Sequence, residues 1–207
     1  MQLEKGYLYH IFNQGNNQRQ IFFKRDNYLF LLKKIETYIL PYADILAWCL
    51  MPNHFHLMVL VREEEISISE GFTQSEVLTN KSIKTRTFND SIGIMLRSYT
   101  RAINKQEGLS GSLFRKEIKA ECIDYPNGVI PSFIKSKINI QNPEKQYPQV
   151  CFNYIHQNPV KAKLVTNEVD YEFSSAKDYA NIRNGKLIDK EVAFEYINYD
   201  KSGLHFE

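Results

Sequence analysis

Two apolar segments separated by a short turn constrain the fold of this chain most strongly. Ile45–Leu50 and Phe55–Val61 have strand length and are linked through residues 51–53, which include a proline and an asparagine. A linker this short joins neighbouring antiparallel strands, so the sequence predicts a β-hairpin. His54 and His56 open the second strand, and residues two apart in a strand point to the same face of the sheet.

This pair of histidines is a candidate metal site. Two neutral imidazoles side by side can chelate a divalent cation, and two ligands leave coordination positions open for substrate or water. The alternative is that His54 and His56 are merely two polar residues on a half-exposed strand face. The pair alone does not decide between the two interpretations.

The composition is that of an ordinary globular protein, with 207 residues of which 43% are hydrophobic and 24% charged. This length predicts one compact domain. No apolar stretch is long enough to span a bilayer, and residues 1–6 lack the pattern of a secretion signal. We therefore expect a cytoplasmic protein without a membrane partner. The 3 cysteines are widely spaced and predict neither a disulfide framework nor a cysteine-based zinc site.

Charge is distributed unevenly, although the net charge is only +2. Residues 81–119 are basic, whereas residues 62–80 are acidic. A basic zone on a near-neutral protein is typical of a surface that contacts a phosphate backbone. It is also typical of a solvated helix face, and charge alone leaves both possibilities open.

The remaining elements are predicted from apolar periodicity and from turn residues. They are a strand over 6–13, a turn at 15–17, a helix with Asp26 as N-cap that Pro41 closes, a surface loop over 63–82, a basic amphipathic helix from Asp90 to Lys105, a strand over 119–123, an irregular insertion over 124–148, and a helix from Pro148 to Asn158 that Pro159 stops.

Tyr154 and Asn158 are four residues apart and share one face of the last predicted helix. An activated tyrosine hydroxyl can act as a nucleophile, and an amide oxygen suits a hard cation. Tyr154 is nevertheless one of 13 tyrosines, and core packing is the ordinary role of that residue. Tyr99 is the rival nucleophile, but it lies on the amphipathic helix, where we expect it to pack in the core. We expect His156, on a different face from Tyr154, at the surface or near DNA.

Four blocks of sequence carry a resemblance to a known family. They are residues 9–17 (Tyr-His-Ile-Phe-Asn-Gln-Gly-Asn-Asn), residues 45–57 (ending in Met-Pro-Asn-His-Phe-His-Leu), residues 111–115 (Gly-Ser-Leu-Phe-Arg) and residues 154–162 (Tyr-Ile-His-Gln-Asn-Pro-Val-Lys-Ala). With these blocks in this order over about residues 5–180, the chain resembles the single-tyrosine HUH transposases, especially the REP-associated tyrosine transposase-like branch. Relatives often have an arginine where this chain has Gln14.

The resemblance implies a particular fold and domain organisation. The implied class is α+β, with a ferredoxin-like antiparallel sheet, helices packed on one face and the HUH motif on a central strand. A single catalytic domain would span residues 1–180, with a variable insertion at about 124–148. Residues 181–207 would form a C-terminal extension.

The resemblance also implies a chemistry. His54 and His56 would bind Mg²⁺ or Mn²⁺ with Asn158 as a further ligand, and all three catalytic residues, His54, His56 and Tyr154, would act on one scissile phosphate. Tyr154 would attack that phosphate and leave a 5′-phosphotyrosine link. The implied partner is single-stranded DNA with hairpin structure, bound by a monomer or a homodimer.

Seven residues of the basic zone are candidates for DNA contacts, with the aromatic one as a base-stacking platform. They are Arg97, Arg101, Lys105, Phe114, Arg115, Lys116 and Lys119.

The leading hypothesis is therefore a metal-dependent single-stranded DNA endonuclease and strand transferase. One alternative is a domesticated regulator that binds nucleic-acid hairpins without turnover. Another is a small metallohydrolase that uses activated water and no tyrosine. A covalent protein–DNA adduct is expected of the first hypothesis only.

Overall fold

A four-stranded antiparallel sheet organises the protein. The structure is a computed structural model that describes residues 3–68, 84–125, 130–134 and 140–199. The strands are β1 (Leu8–Gln14), β2 (Ala43–Met51), β3 (His54–Val61), β4 (Glu65–Ile68), β5 (Lys84–Thr87) and β6 (Lys119–Cys122). The large sheet has the spatial order β2-β3-β1-β6, and β4 and β5 pair separately as antiparallel strands.

The sheet confirms the predicted antiparallel arrangement and the hairpin over residues 45–61. The strand β3 that carries the histidines lies between β2 and β1, so it is central, as predicted. Strand β4 occupies the first part of the segment that was predicted as a surface loop. Parts of that loop, of the insertion and of the extension, namely residues 69–83, 126–129, 135–139 and 200–207, lie outside the described residues.

Two helices cover one face of the sheet. Helix α1 (Arg25–Tyr38) begins after Lys24 and not after Asp26, because the Asn27 side chain accepts hydrogen bonds from the backbone N–H groups of Phe23 and Lys24. Helix α2 (Phe88–Glu107) is capped by the Thr87 side chain and ends at Gly108, whose φ of 63° suits a residue without Cβ.

Three further helices cover the opposite face, where the prediction had none. They are α3 (Pro143–Lys161), α4 (Ala176–Tyr179) and α5 (Lys190–Tyr196). The α+β class is as predicted, but helices lie on both faces because both faces of the sheet are apolar. Leu8, Cys49 and Met58 point away from α1 and α2, and they form a second core with Phe152 and Ile155 of α3.

Helix α3 is longer than the sequence predicted at both ends. Asn142 caps it, Pro143 occupies its first turn, and it contains Pro148 and Pro159 in its interior. Pro159 does not stop the helix, which continues for two further residues to Lys161. The predicted insertion thus supplies the first turns of this helix.

The outer edge of β2 is covered by the chain that follows α3. The Ser175 N–H donates to the Trp48 carbonyl at 3.0 Å, and the Asp189 N–H donates to the Ile45 carbonyl at 2.9 Å. Ala193 of α5 is fully buried in the second core. Residues 188–197, predicted as part of an extension, therefore help to protect an edge strand from pairing with other chains.

Among the described residues, no helix has the length and apolar character needed to cross a bilayer.

Candidate active site

A cavity of about 370 Å³ opens where the start of β3 meets α3. Its walls include four residues singled out from the sequence, His54, His56, Tyr154 and Asn158. The two histidines share one sheet face because they are two apart in β3, and the tyrosine and asparagine share one helix face because they are four apart in α3. The packing of α3 on the sheet brings the two pairs together.

The two imidazoles are held at right angles, and the Nδ1 of each is engaged in a hydrogen bond. Their ring centroids are 4.9 Å apart with an interplanar angle of 82°. The Nδ1 of His54 lies 2.6 Å from Oδ1 of Asn53, and the Nδ1 of His56 lies 2.9 Å from Nε2 of His10. Because an amide oxygen only accepts, His54 carries its proton on Nδ1 and keeps a bare Nε2 when it is neutral.

The environment keeps both histidines neutral. Burial lowers the pKa of His54, an effect that a hydrogen bond with the Asn158 side chain partly offsets. Burial, and after it the proximity of His10 and His54, lowers the pKa of His56 well below the ordinary value. Neutral imidazoles are the form that binds metal ions.

The donor set of this cavity fits a hard divalent cation. His56 is only 4% exposed, and its buried Nε2 has no hydrogen-bond partner among the described residues, as expected of an atom that serves as a ligand. No group of three or more His, Cys, Asp or Glu side chains in the described part of the chain is arranged to hold a metal. Asn158, whose side-chain oxygen is a ligand type that hard cations accept, lines the same cavity.

Tyr154 lies against the histidines with its ring edge. Its ring centroid is 5.3 Å from that of His56, at an interplanar angle of 80°. Burial raises the pKa of Tyr154, and a hydrogen bond with the Asn158 side chain opposes that rise. Asn158 also donates from Nδ2 to the Tyr154 carbonyl at 2.9 Å. Asn158 thus contacts the side chains of both Tyr154 and His54.

Four of the six basic residues predicted to contact DNA line a second, adjoining groove of about 630 Å³. They are Arg97, Arg101, Arg115 and Lys116. Arg115 and Asn13 belong to the walls of both cavities, so the groove leads directly to the histidines. Lys119 lines the histidine cavity itself, whereas Lys105, in the last turn of α2, lines neither.

The proposed stacking role of Phe114 does not fit the structure. Its side chain is 3% exposed and packs against Phe55 and Tyr99, with ring centroids 6.0 Å and 5.9 Å away. A ring buried in the core cannot offer its face to a base, so Phe114 serves as a wall of the groove. Tyr99 is likewise buried, and its hydroxyl donates to the Ile21 carbonyl at 2.8 Å, which agrees with the predicted core role.

The expectation that His156 is exposed is wrong. His156 is fully buried, and its Nε2 lies 2.7 Å from Oγ of Ser175. Ser175 Oγ accepts from the Trp48 N–H at 2.9 Å and lies 3.2 Å from the Trp48 carbonyl oxygen. The hydroxyl has one proton, so all three contacts are satisfied if it donates to the carbonyl and His156 donates from Nε2. His156 thus anchors α3 to β2.

The sequence pattern assigned no role to three polar residues that support the two histidines, namely His10, Asn53 and Glu121. Asn53 precedes the His-Phe-His triplet directly and could have been singled out for that reason. His10 and Glu121 lie on β1 and β6, directly opposite each other in the strand register. Only the pairing of the strands reveals that they belong to the site.

Comparison with solved structures bears on the fold. One matching structure is that of a REP-associated tyrosine transposase bound to a REP hairpin. The match covers 98% of this chain and 92% of that one, with a TM-score of 0.51 and 18% sequence identity. The chain has the fold of that transposase. No protein-family profile and no curated protein sequence matches the chain.

Proposed function

We propose that the protein is a metal-dependent endonuclease and strand transferase of the REP-associated tyrosine transposase kind, acting on single-stranded DNA beside a hairpin. The observation that carries the proposal is the convergence of His54, His56, Tyr154 and Asn158 on one cavity. The fold shared with a hairpin-bound transposase supports the proposal as well. The two supports are independent, because the four residues form a pattern in the sequence that does not depend on the fold comparison.

Mg²⁺ or Mn²⁺ would be held by Nε2 of His54, Nε2 of His56 and the side-chain oxygen of Asn158. Both imidazoles are neutral and keep Nδ1 engaged with a neighbouring residue, so Nε2 is the nitrogen of each ring that is left for a cation. When bound, the metal supplies a positive charge that polarises the scissile phosphate and offsets charge in the transition state.

Tyr154 is the nucleophile of the proposed reaction. Its Oη forms a bond to phosphorus while the bond from phosphorus to the 3′ oxygen breaks. The phenolic proton passes to solvent, and the departing 3′ oxygen takes up a proton from solvent and ends as a 3′-hydroxyl. One phosphodiester replaces another, so a later attack by a DNA 3′-hydroxyl can rejoin strands without ATP.

The adjoining groove is suited to hold the DNA strand on its way to Tyr154. Four cationic side chains, Arg97, Arg101, Arg115 and Lys116, surround an apolar wall. None of them is paired with a carboxylate in the part of the chain that the structure describes. Unpaired cations along a groove are typical of contacts to a phosphate backbone, where they release condensed counterions on binding.

A labelled hairpin assay tests the proposal. Purified protein is incubated with Mn²⁺ and single-stranded hairpins from the DNA flanking its gene, and the products are separated on a denaturing gel. We expect label to migrate with the protein, and to disappear with a chelator or in Tyr154→Phe. Tyr147→Phe is the matched control, since Tyr147 is also on α3 but lies in the second core.

The other outcomes correspond to the alternative functions. Hairpin binding without cleavage would favour a regulator. Metal-dependent cleavage that is unchanged in Tyr154→Phe would favour a metallohydrolase that uses water.

A further inference from the structure

His10 lies directly behind the metal-binding histidine His56. In the sheet, Phe12 is opposite His56, so His10 is the diagonal neighbour of His56 on the same face. Nε2 of His10 is 2.9 Å from Nδ1 of His56. The two rings are inclined by only 19° with centroids 5.0 Å apart, which places them edge to edge, as a well-aligned N–H···N hydrogen bond requires.

Two neutral imidazoles can share this bond in two ways, and the choice decides which nitrogen of His56 is bare. If His56 donates from Nδ1, its buried Nε2 keeps a lone pair toward the cavity. If His10 donates from Nε2, the proton of His56 occupies Nε2 and blocks it as a ligand. The tautomer of His10 therefore controls the metal-binding competence of His56.

Glu121 selects between these tautomers. The Nδ1 of His10 is 3.7 Å from Oε2 of Glu121, and His10 is 1% exposed. That distance is too long for a direct hydrogen bond, so the carboxylate acts through its charge. In the neutral ring, a protonated Nδ1 directs the partial positive charge of its N–H hydrogen toward the carboxylate, whereas a bare Nδ1 would direct a lone pair toward it. The carboxylate consequently favours His10 with its proton on Nδ1 and its lone pair on Nε2.

The Glu121 carboxylate is held by residues 130–134, a described part of the segment that was predicted as an irregular insertion. Ser132 donates to Oε2 of Glu121 from both its backbone N–H and its hydroxyl, each at 3.0 Å. The neighbouring Phe133 packs edge-on against His10 at 5.3 Å and lies 5.8 Å from the Tyr154 ring. This part of the insertion thus fixes Glu121 and closes the site from behind.

We propose that His10 and Glu121 are positioning residues that hold His56 in the tautomer with a proton on Nδ1 and a bare Nε2. The chain of contacts runs from Ser132 through Glu121 and His10 to His56. This inference deepens the proposed function and rests on it for the identity of His56 as a metal ligand. Outer partners of this kind typically change metal affinity by about 10- to 100-fold when they are removed.

The tautomers are read directly by NMR on the metal-free protein. With ¹⁵N-labelled histidine, long-range ¹H–¹⁵N correlation spectra at neutral pH distinguish a protonated from a bare ring nitrogen. We expect His56 and His10 both to carry the proton on Nδ1. A spectrum in which Nε2 of His56 is protonated would overturn the proposal.

Metal affinity provides the second readout, with Mn²⁺ as the probe and EPR of the free ion as the measurement. His10→Phe keeps a ring but removes the acceptor, and we expect it to weaken Mn²⁺ binding by about tenfold or more. Glu121→Gln removes the selecting charge and should also weaken binding and redistribute the His56 proton in the NMR spectrum. Glu117→Gln is the matched control, because Glu117 lines the same cavity but has no contact with His10.

Each outcome has a distinct meaning. If Glu121→Gln and Glu117→Gln weaken Mn²⁺ binding equally and leave the His56 tautomer unchanged, the positioning role is refuted. If His10→Phe fails to fold, the spectra of the wild type and of Glu121→Gln still decide. A wild-type protein that binds no Mn²⁺ yet shows the expected tautomers would refute the metal-dependent function and leave the hydrogen-bond chain intact.

Discussion

Replacing His156 by alanine should weaken the attachment of the tyrosine-bearing helix to the sheet. The substitution removes a fully buried ring that packs against Phe152 at 4.3 Å, and it deletes the hydrogen bond to Ser175. A buried hydrogen bond contributes about 1 kcal/mol, and truncating a buried side chain of this size costs roughly 2–3 kcal/mol. We expect the free energy of unfolding to fall by about 3 kcal/mol, which corresponds to roughly 10 °C in Tm.

Urea titration followed by circular dichroism measures this loss. Gln157→Ala is the matched control, since Gln157 is the next residue of the same helix, and it should change stability by less than about 0.5 kcal/mol. We also expect His156→Ala to lower the yield of protein–DNA adduct, because Tyr154 is two residues away on the loosened helix. A stability within about 1 kcal/mol of wild type, or equal losses in both variants, would refute the anchoring role.

Three further predictions concern the groove, pH and the buried tyrosine. Arg101→Ala should weaken hairpin binding and reduce the slope of log affinity against log salt by about 1, whereas Lys105→Ala should not, as filter binding over a salt series would show. Burial lowers the pKa of His156 to about 3 from 6.5, so between these values the unfolded chain binds an additional proton at this residue, and His156 alone should lower the free energy of unfolding by about 1.4 kcal/mol per pH unit on acidification. The slope of stability against pH should be steeper in wild type than in His156→Gln by this amount, and equal slopes in urea titrations over a pH series would contradict this. Tyr99→Phe should cost about 1 kcal/mol in a urea titration and leave adduct formation intact; loss of the adduct would mean that Tyr99 acts in the reaction.

Local sequence patterns predicted the elements that carry the site. The hairpin around His54 and His56 follows from two apolar runs and the short linker over residues 51–53, and α2 follows from apolar residues at helical spacing. The side chains of Tyr154 and Asn158 were placed on one helix face by their spacing alone. What these patterns could not provide was the contact between β3 and α3, which the resemblance to a transposase family supplied.

The errors arise where long-range contacts override local patterns. His156 was expected to be exposed because it does not share a face with Tyr154, but a second core on that side of the sheet buries it with Ser175. His10 lies in an apolar strand, and its position diagonal to His56 depends on the register between β1 and β3. That register is set by tertiary packing, so the sequence of neither strand alone predicts it.

Mass spectrometry of the adduct detects the proposed covalent bond between Tyr154 and DNA. Protein is incubated with Mn²⁺ and hairpin DNA, treated with nuclease and protease, and searched for peptides that retain a nucleotide. We expect a nucleotide linked through its 5′-phosphate on the peptide that contains Tyr154, and none when a chelator is present. A nucleotide on any other tyrosine, or cleaved DNA with no modified peptide, would contradict the proposal.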